Sequence, residues 1–156
     1  METKRVFISP DATVTGEVSL GEDVSIWYGA VLRGDSGLIT VGRGTNIQDR
    51  CILHEKTTVG ENCTLGHGAI VHGCTIGDGT TVGMGAIVLT GAVIGRDCII
   101  GAGAVVTGKT NAPDGSLLLG SPARVVKPVT EAQKEESVAN ARHYVALAQE
   151  TLPERK

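Results

Sequence analysis

Large rings are scarce in this chain. Its 156 residues include one Trp, two Tyr and one Phe, so aromatics make up 3% against an apolar share of 41%. The core must therefore be filled by aliphatic and small side chains, which excludes folds whose cores rest on large rings. No apolar run reaches the roughly 18–20 residues needed to cross a bilayer. The opening Met-Glu-Thr-Lys-Arg is charged and is not followed by the hydrophobic segment of a secretion signal. These features predict a cytoplasmic protein with no membrane partner. There is no basic block and the net charge is −3, which argues against nucleic acid as a partner. Cys51, Cys63, Cys74 and Cys98 include no CxxC pair, so neither a metal cluster nor a disulfide set has spacing support. Glycine, by contrast, is abundant: 22 residues, about twice the usual share of roughly 7%. A plain helical bundle would not tolerate so much.

Internal periodicity explains the glycine. Ile8, Val14, Leu20, Ile26 and Leu32 lie six residues apart. After three extra residues the series resumes at Val41, Ile47, Leu53, Val59, Leu65 and Val71. One five-residue step leads to Ile76, and Val82, Val88, Ile94, Ile100 and Val106 follow. A small residue recurs four positions after the aliphatic one, as at Ala30, Thr45, Ala69, Ala86 and Ala104. This pattern predicts an all-β solenoid, a parallel β-helix in which each hexad is a short strand plus a corner. Three hexads close one triangular coil, and coils stack about 4.8 Å apart. Residues 8 to about 123 give roughly six coils. Cys51, Cys63 and Cys98 fall at the small inward position and Cys74 near it, where they serve as buried filler.

The pattern changes near Thr130. Thr130 and Gln133 have capping-box spacing, and Val138, Ala141, Val145, Ala148 and Leu152 form a helical stripe closed by Pro153. We therefore expect a β-helix over residues 1–125, then a linker and a C-terminal helix over 126–156 that packs on it. His143 reads as an ordinary surface or interface histidine.

An eighteen-residue coil is a ruler: residues eighteen apart stack in adjacent coils. His54 and His72 are eighteen apart and each follows an inward aliphatic residue, so both leave one face and can converge on one metal ion. Arg33 takes the same slot one coil below. Asp49 and His67 form a second column on the preceding face, with Gln48 beside it. His67 thus points away from the His54–His72 face of its own chain. A neighbouring copy in a threefold ring can supply it, which predicts a homotrimer with sites between subunits. Three imidazoles with an open fourth position are the ligand set of a catalytic zinc. Surface histidines can cluster by accident, but three of the four in this chain lie within nineteen residues, with Arg, Gln and Asp around them.

The motifs Leu32-Arg33-Gly34-Asp35, Asn46-Ile47-Gln48-Asp49, Leu53-His54, Gly66-His67-Gly68-Ala69-Ile70-Val71-His72-Gly73 and Leu119-Gly120-Ser121-Pro122-Ala123 resemble those of the γ-class carbonic anhydrases, within the hexapeptide-repeat superfamily. The resemblance covers nearly the whole chain and implies a left-handed coil. It implies that His54 and His72 bind the metal with His67 of an adjacent subunit, the ion being Zn²⁺, with Fe²⁺ or Co²⁺ as alternatives. It implies that Gln48 hydrogen-bonds the metal-bound water, and that Arg33, Asp35 and Asp49 form a salt-bridge group across the subunit boundary. The activity implied is reversible hydration of CO₂ to bicarbonate by metal-bound hydroxide.

Two departures from the family pattern bear on proton export. Ser36 stands where a glutamate is expected after Asp35, and Glu55-Lys56-Thr57-Thr58 runs straight into the next hexad with no acidic loop. Strand alternation directs Glu55 away from the site. Three other functions fit the same fold: a metal-dependent hydrolase of a thioester or other small carbonyl compound, a coenzyme A-dependent acyltransferase, and a non-catalytic assembly protein.

Overall fold

Each hexad places one aliphatic side chain in the interior, and hydrogen bonding between coils does the rest. The computed structural model describes residues 4–155. On the first face, Ile8, Ile26, Ile47, Leu65, Val82, Ile100 and Leu118 stack in register through parallel pairs. The second face aligns Val14, Leu32, Leu53, Val71, Val88 and Val106. The third aligns Leu20, Val41, Val59, Ile76, Ile94 and Ala112. The result is a β-solenoid of parallel strands, six coils with a seventh strand on the first face.

The irregular steps sit where the spacing places them. Val71 pairs with Val88, so the short hexad removes one residue from the ruler at that coil. The three-residue excess lies in the long strand Val31–Val41. There Gly34 pairs with Gly16 and Ile39 with Val18, leaving Asp35–Leu38 opposite Glu17 alone. Extra residues in one strand bulge outward because the ladder has no partner for them. That bulge carries Asp35.

Coil spacing dictates the small residues. A side chain on Gly42 would put its Cβ 2.5 Å from the carbonyl carbon of Gly60 in the next coil. All four cysteines are free and buried among the aliphatic residues. Burial pushes the Cys51 and Cys74 thiols up to about 12 and Cys63 up to about 11.

The helix Glu131–Thr151 begins with the expected capping box, Thr130 Oγ1 accepting from Gln133 N and Gln133 Oε1 accepting from Thr130 N. Ala141, Ala148 and Leu152 are buried, but Val138 lies outside. The face beneath explains the difference. It presents Ser25, Asn46, Thr64 and Thr81, so Ser137 and Asn140 face it and hydrogen-bond to Thr81 and Thr64. Tyr144 meets Trp27 edge to face at 5.5 Å, and this ring pair anchors the helix beside Phe7 and Leu152.

Two strands lie where the linker and the end of the helical segment were expected. Ala123–Pro128 folds back antiparallel on Ser116–Gly120 at one end of the first face. Glu154–Arg155 pairs antiparallel with Val6–Ile8 at the other. Both cover sheet edges that would otherwise expose unpaired backbone groups. Among the described residues no helix is long and apolar enough to cross a membrane.

Candidate metal centre

Parallel register builds the first column residue by residue. Arg33 pairs with His54, and His54 with His72, because Leu32, Leu53 and Val71 are locked inward beside them. Successive side chains in a strand leave opposite faces, so all three point outward from the second face. The two imidazoles sit edge to face, 5.1 Å between centroids, with His54 Nδ1 3.2 Å from His72 Nε2.

The bulge supplies the next contact. Asp35 Oδ1 lies 3.0 Å from His54 Nε2, and Asp35 Oδ2 accepts from Arg33 Nη1 at 2.8 Å. Ser36 Oγ also donates to Asp35, at 3.3 Å. Desolvation alone would raise the Asp35 pKa; hydrogen bonds from His54, Arg33 and Ser36 outweigh it and hold the carboxyl below its ordinary value. Asp35 is thus an ionised acceptor. Ser36, standing in place of an acid, helps keep it so.

Glu55 departs from expectation. Strand alternation would turn it away, but its backbone is in the left-handed region with φ 59°. The kink breaks the alternation and brings Glu55 Oε2 to 3.8 Å from His72 Nδ1. Thr90, which the sequence did not single out, lies between them. Its Oγ1 is 2.9 Å from His72 Nδ1 and donates to Glu55 Oε2 at 3.3 Å. Counting eighteen from His72 lands on Thr90, although the short hexad makes Leu89 the register partner.

The second column stands at the corner between the first and second faces. His67 Nδ1 is 2.9 Å from Asp49 Oδ2, and the Asp49 carbonyl accepts from Gly68 N. The His67 side chain is half exposed and its ring hydrogen-bonds to neither His54 nor His72. Gln48, in contrast, is buried. It donates through Nε2 to Asn46 Oδ1, and Asn46 donates to the Cys63 carbonyl and to Thr64 Oγ1. Tyr144 borders the same corner: burial and the nearby Asp49 carboxylate raise its hydroxyl pKa. His143 is exposed, beside Tyr144.

The structure therefore gathers Arg33, Asp35, His54 and His72 on one face, and Asp49 and His67 at the adjoining corner with Gln48 beneath. Among the described residues, no group of three or more His, Cys, Asp or Glu side chains within one chain is arranged to hold a metal ion.

Residues 73–108 match the family described as bacterial transferase hexapeptide (six repeats). "Probable carbonic anhydrase" of Methanocaldococcus jannaschii is 45% identical over 97% of this chain and 98% of its own. "Gamma carbonic anhydrase 2, mitochondrial" of Arabidopsis thaliana is 41% identical over 94% of this chain; the alignment spans only 56% of the plant protein. Among solved structures, a hexapeptide transferase family protein from Anaplasma phagocytophilum is 37% identical, covering 94% of this chain and 93% of that one, with a TM-score of 0.86. A perosamine N-acetyltransferase from Caulobacter crescentus is 30% identical over 80% of this chain and 57% of its own, with a TM-score of 0.63. The chain belongs to the γ-carbonic-anhydrase-like family of hexapeptide-repeat proteins.

Proposed function

We propose that the protein is a metal-dependent carbonic anhydrase that hydrates CO₂ reversibly in a homotrimer. His54 and His72 of one copy and His67 of the next hold a divalent cation, Zn²⁺ first, with Fe²⁺ or Co²⁺ as alternatives. One observation carries the reading. The outer nitrogens of the His54–His72 pair are engaged, Nε2 of His54 by Asp35 and Nδ1 of His72 by Thr90; when both rings are neutral and donate outward, the inner nitrogens, 3.2 Å apart, both carry lone pairs. Two acceptors at that distance repel unless they share a cation. Two nitrogens on one tetrahedral ion, each about 2.0–2.1 Å away, stand about 3.3 Å apart, which the pair matches.

The second face also suits a neighbouring copy. Val31, Ile52, Ile70, Ile87 and Val105 lie in register on its outer side, one residue before each inward aliphatic, and all are at least partly exposed. An aliphatic ladder beside a half-built site fits burial against the corner that carries His67 in a closed ring.

A divalent cation held there would supply Lewis acidity, making water acidic enough to give up a proton near neutral pH and yield the hydroxide that adds to CO₂. The protein's own groups set the stage. Asp35, kept ionised by Arg33, fixes the His54 ring. Asp49 accepts from His67 Nδ1–H and leaves Nε2 as that ring's free nitrogen. Gln48 gives one Nε2 N–H to Asn46 and keeps the carbonyl oxygen of its amide for orienting water.

Subunit complementation tests the shared site. His54→Ala and His67→Ala should each abolish metal binding and CO₂ hydration. Trimers reassembled from a mixture of the two variants should regain part of both, because one kind of interface again holds all three imidazoles. Full metal content in His67→Ala, a monomer in solution, or metal-loaded protein without CO₂ hydration would overturn the reading.

The Caulobacter acetyltransferase favours a second reading, acyl transfer from coenzyme A. Acetyl-coenzyme A binding to metal-free protein, unchanged by His67→Ala, would support it instead.

A further inference from the structure

The donors and acceptors around His72 form a directed chain. Glu55 is an acceptor, and the Thr90 hydroxyl spends its single proton on Glu55 Oε2. Thr90 Oγ1 can then only accept from His72, so His72 Nδ1 carries the hydrogen. The lone pair is left on Nε2, the nitrogen that faces His54. Reversing the Thr90 hydroxyl would favour the other tautomer and spoil the site.

Two backbone features make room for this chain. Glu55 reaches it only through its left-handed backbone conformation. Gly73, which follows His72 with φ +60°, leaves the necessary space. A Cβ there would lie 2.7 Å from Thr90 Oγ1 and 3.1 Å from Glu55 Oε2. Gly73 is held in turn by the His54 carbonyl and Thr57 Oγ1, both accepting from its N–H.

We propose that Thr90 and Glu55 are positioning residues that fix His72 in its Nδ1–H tautomer and so set metal affinity. The inference rests on reading His54 and His72 as metal ligands. Groups behind a metal-bound histidine typically contribute about 10- to 100-fold in affinity.

The test uses Thr90→Val, which keeps the shape and removes the hydroxyl, and Thr90→Ser, which restores it. Zn²⁺ and Co²⁺ affinities are measured against a competing chelator on the full chain. Nitrogen-15 spectra of the metal-free protein report the His72 tautomer. Thr90→Val should bind either ion about 10- to 100-fold more weakly and lose the pure Nδ1–H signature. Thr90→Ser should stay within about threefold of the parent and keep it, and Glu55→Ala should shift both readouts in the direction of Thr90→Val. Unchanged affinity and tautomer in Thr90→Val would overturn the proposal. If the parent protein binds no metal, the shared-site reading fails, while the tautomer spectra still decide whether Thr90 governs His72.

Discussion

Asp49 Oδ2 lies 2.9 Å from His67 Nδ1, one coil below it at the same corner. An ionised carboxylate can only accept, so a neutral His67 ring donates from Nδ1 and keeps its lone pair on Nε2. In the proposed trimer, that nitrogen is the one offered to the neighbouring copy.

Asp49→Asn should therefore weaken metal binding about 10- to 100-fold without changing the coil. Chelator competition reads the affinity, and circular dichroism reads the fold. Equal affinity in the variant would show that His67 needs no such orientation.

Asp35 predicts an acid-sensitive element. Its folded pKa lies below that of the unfolded chain, so its contribution to stability is whole above the ordinary aspartate value and is lost as pH falls through the folded one. Urea midpoints followed from about pH 6 down to about pH 2 should fall less steeply in Asp35→Asn than in the parent. Because Asp35 is well exposed, the difference should be small and should shrink further in high salt.

The four thiols should be inert in the native protein. At pH 8 a thiol with a pKa of about 12 is thiolate in only about one molecule in 10⁴, and burial blocks the reagent as well. An aromatic disulfide reagent should label none of the four in folded protein and all four in denaturant. Rapid labelling of Cys51 or Cys74 before unfolding would contradict the packing described.

Neighbouring residues on one strand should behave oppositely. Leu53 is fully buried, and Leu53→Ala should cost about 2–5 kcal/mol in urea unfolding. Ile52, on the outer surface, should change the stability of the isolated coil by no more than about 0.5 kcal/mol. On the proposed trimer, Ile52→Asp should instead shift the protein toward monomer in sedimentation.

Much of this was legible in the sequence because parallel coils convert spacing into position. Leu53 and Val71 must both face inward, so the stacking of His54 on His72 followed from a count. The bulge was legible as three surplus residues, though not its consequence that Asp35 reaches His54. Glu55 was misread because alternation assumes extended backbone, and one left-handed residue cancels it. Val138 was misread because the helix lies on a face lined with hydroxyl and amide groups, so polar Ser137 and Asn140 compete for the inner side. Ala123–Pro128 gave no strand signal; the open sheet edge beside it decides its conformation.

The short strand Glu154–Arg155 joins the last residues described to Val6 and Phe7, in the first coil. A stacked repeat array bound only by nearest-neighbour contacts can fray independently from either terminus. Here the tail is buckled to the opposite end by way of the helix, so loosening one terminus loosens the other. Melting should then be a single cooperative event, and deleting the last few residues should split it into separate steps.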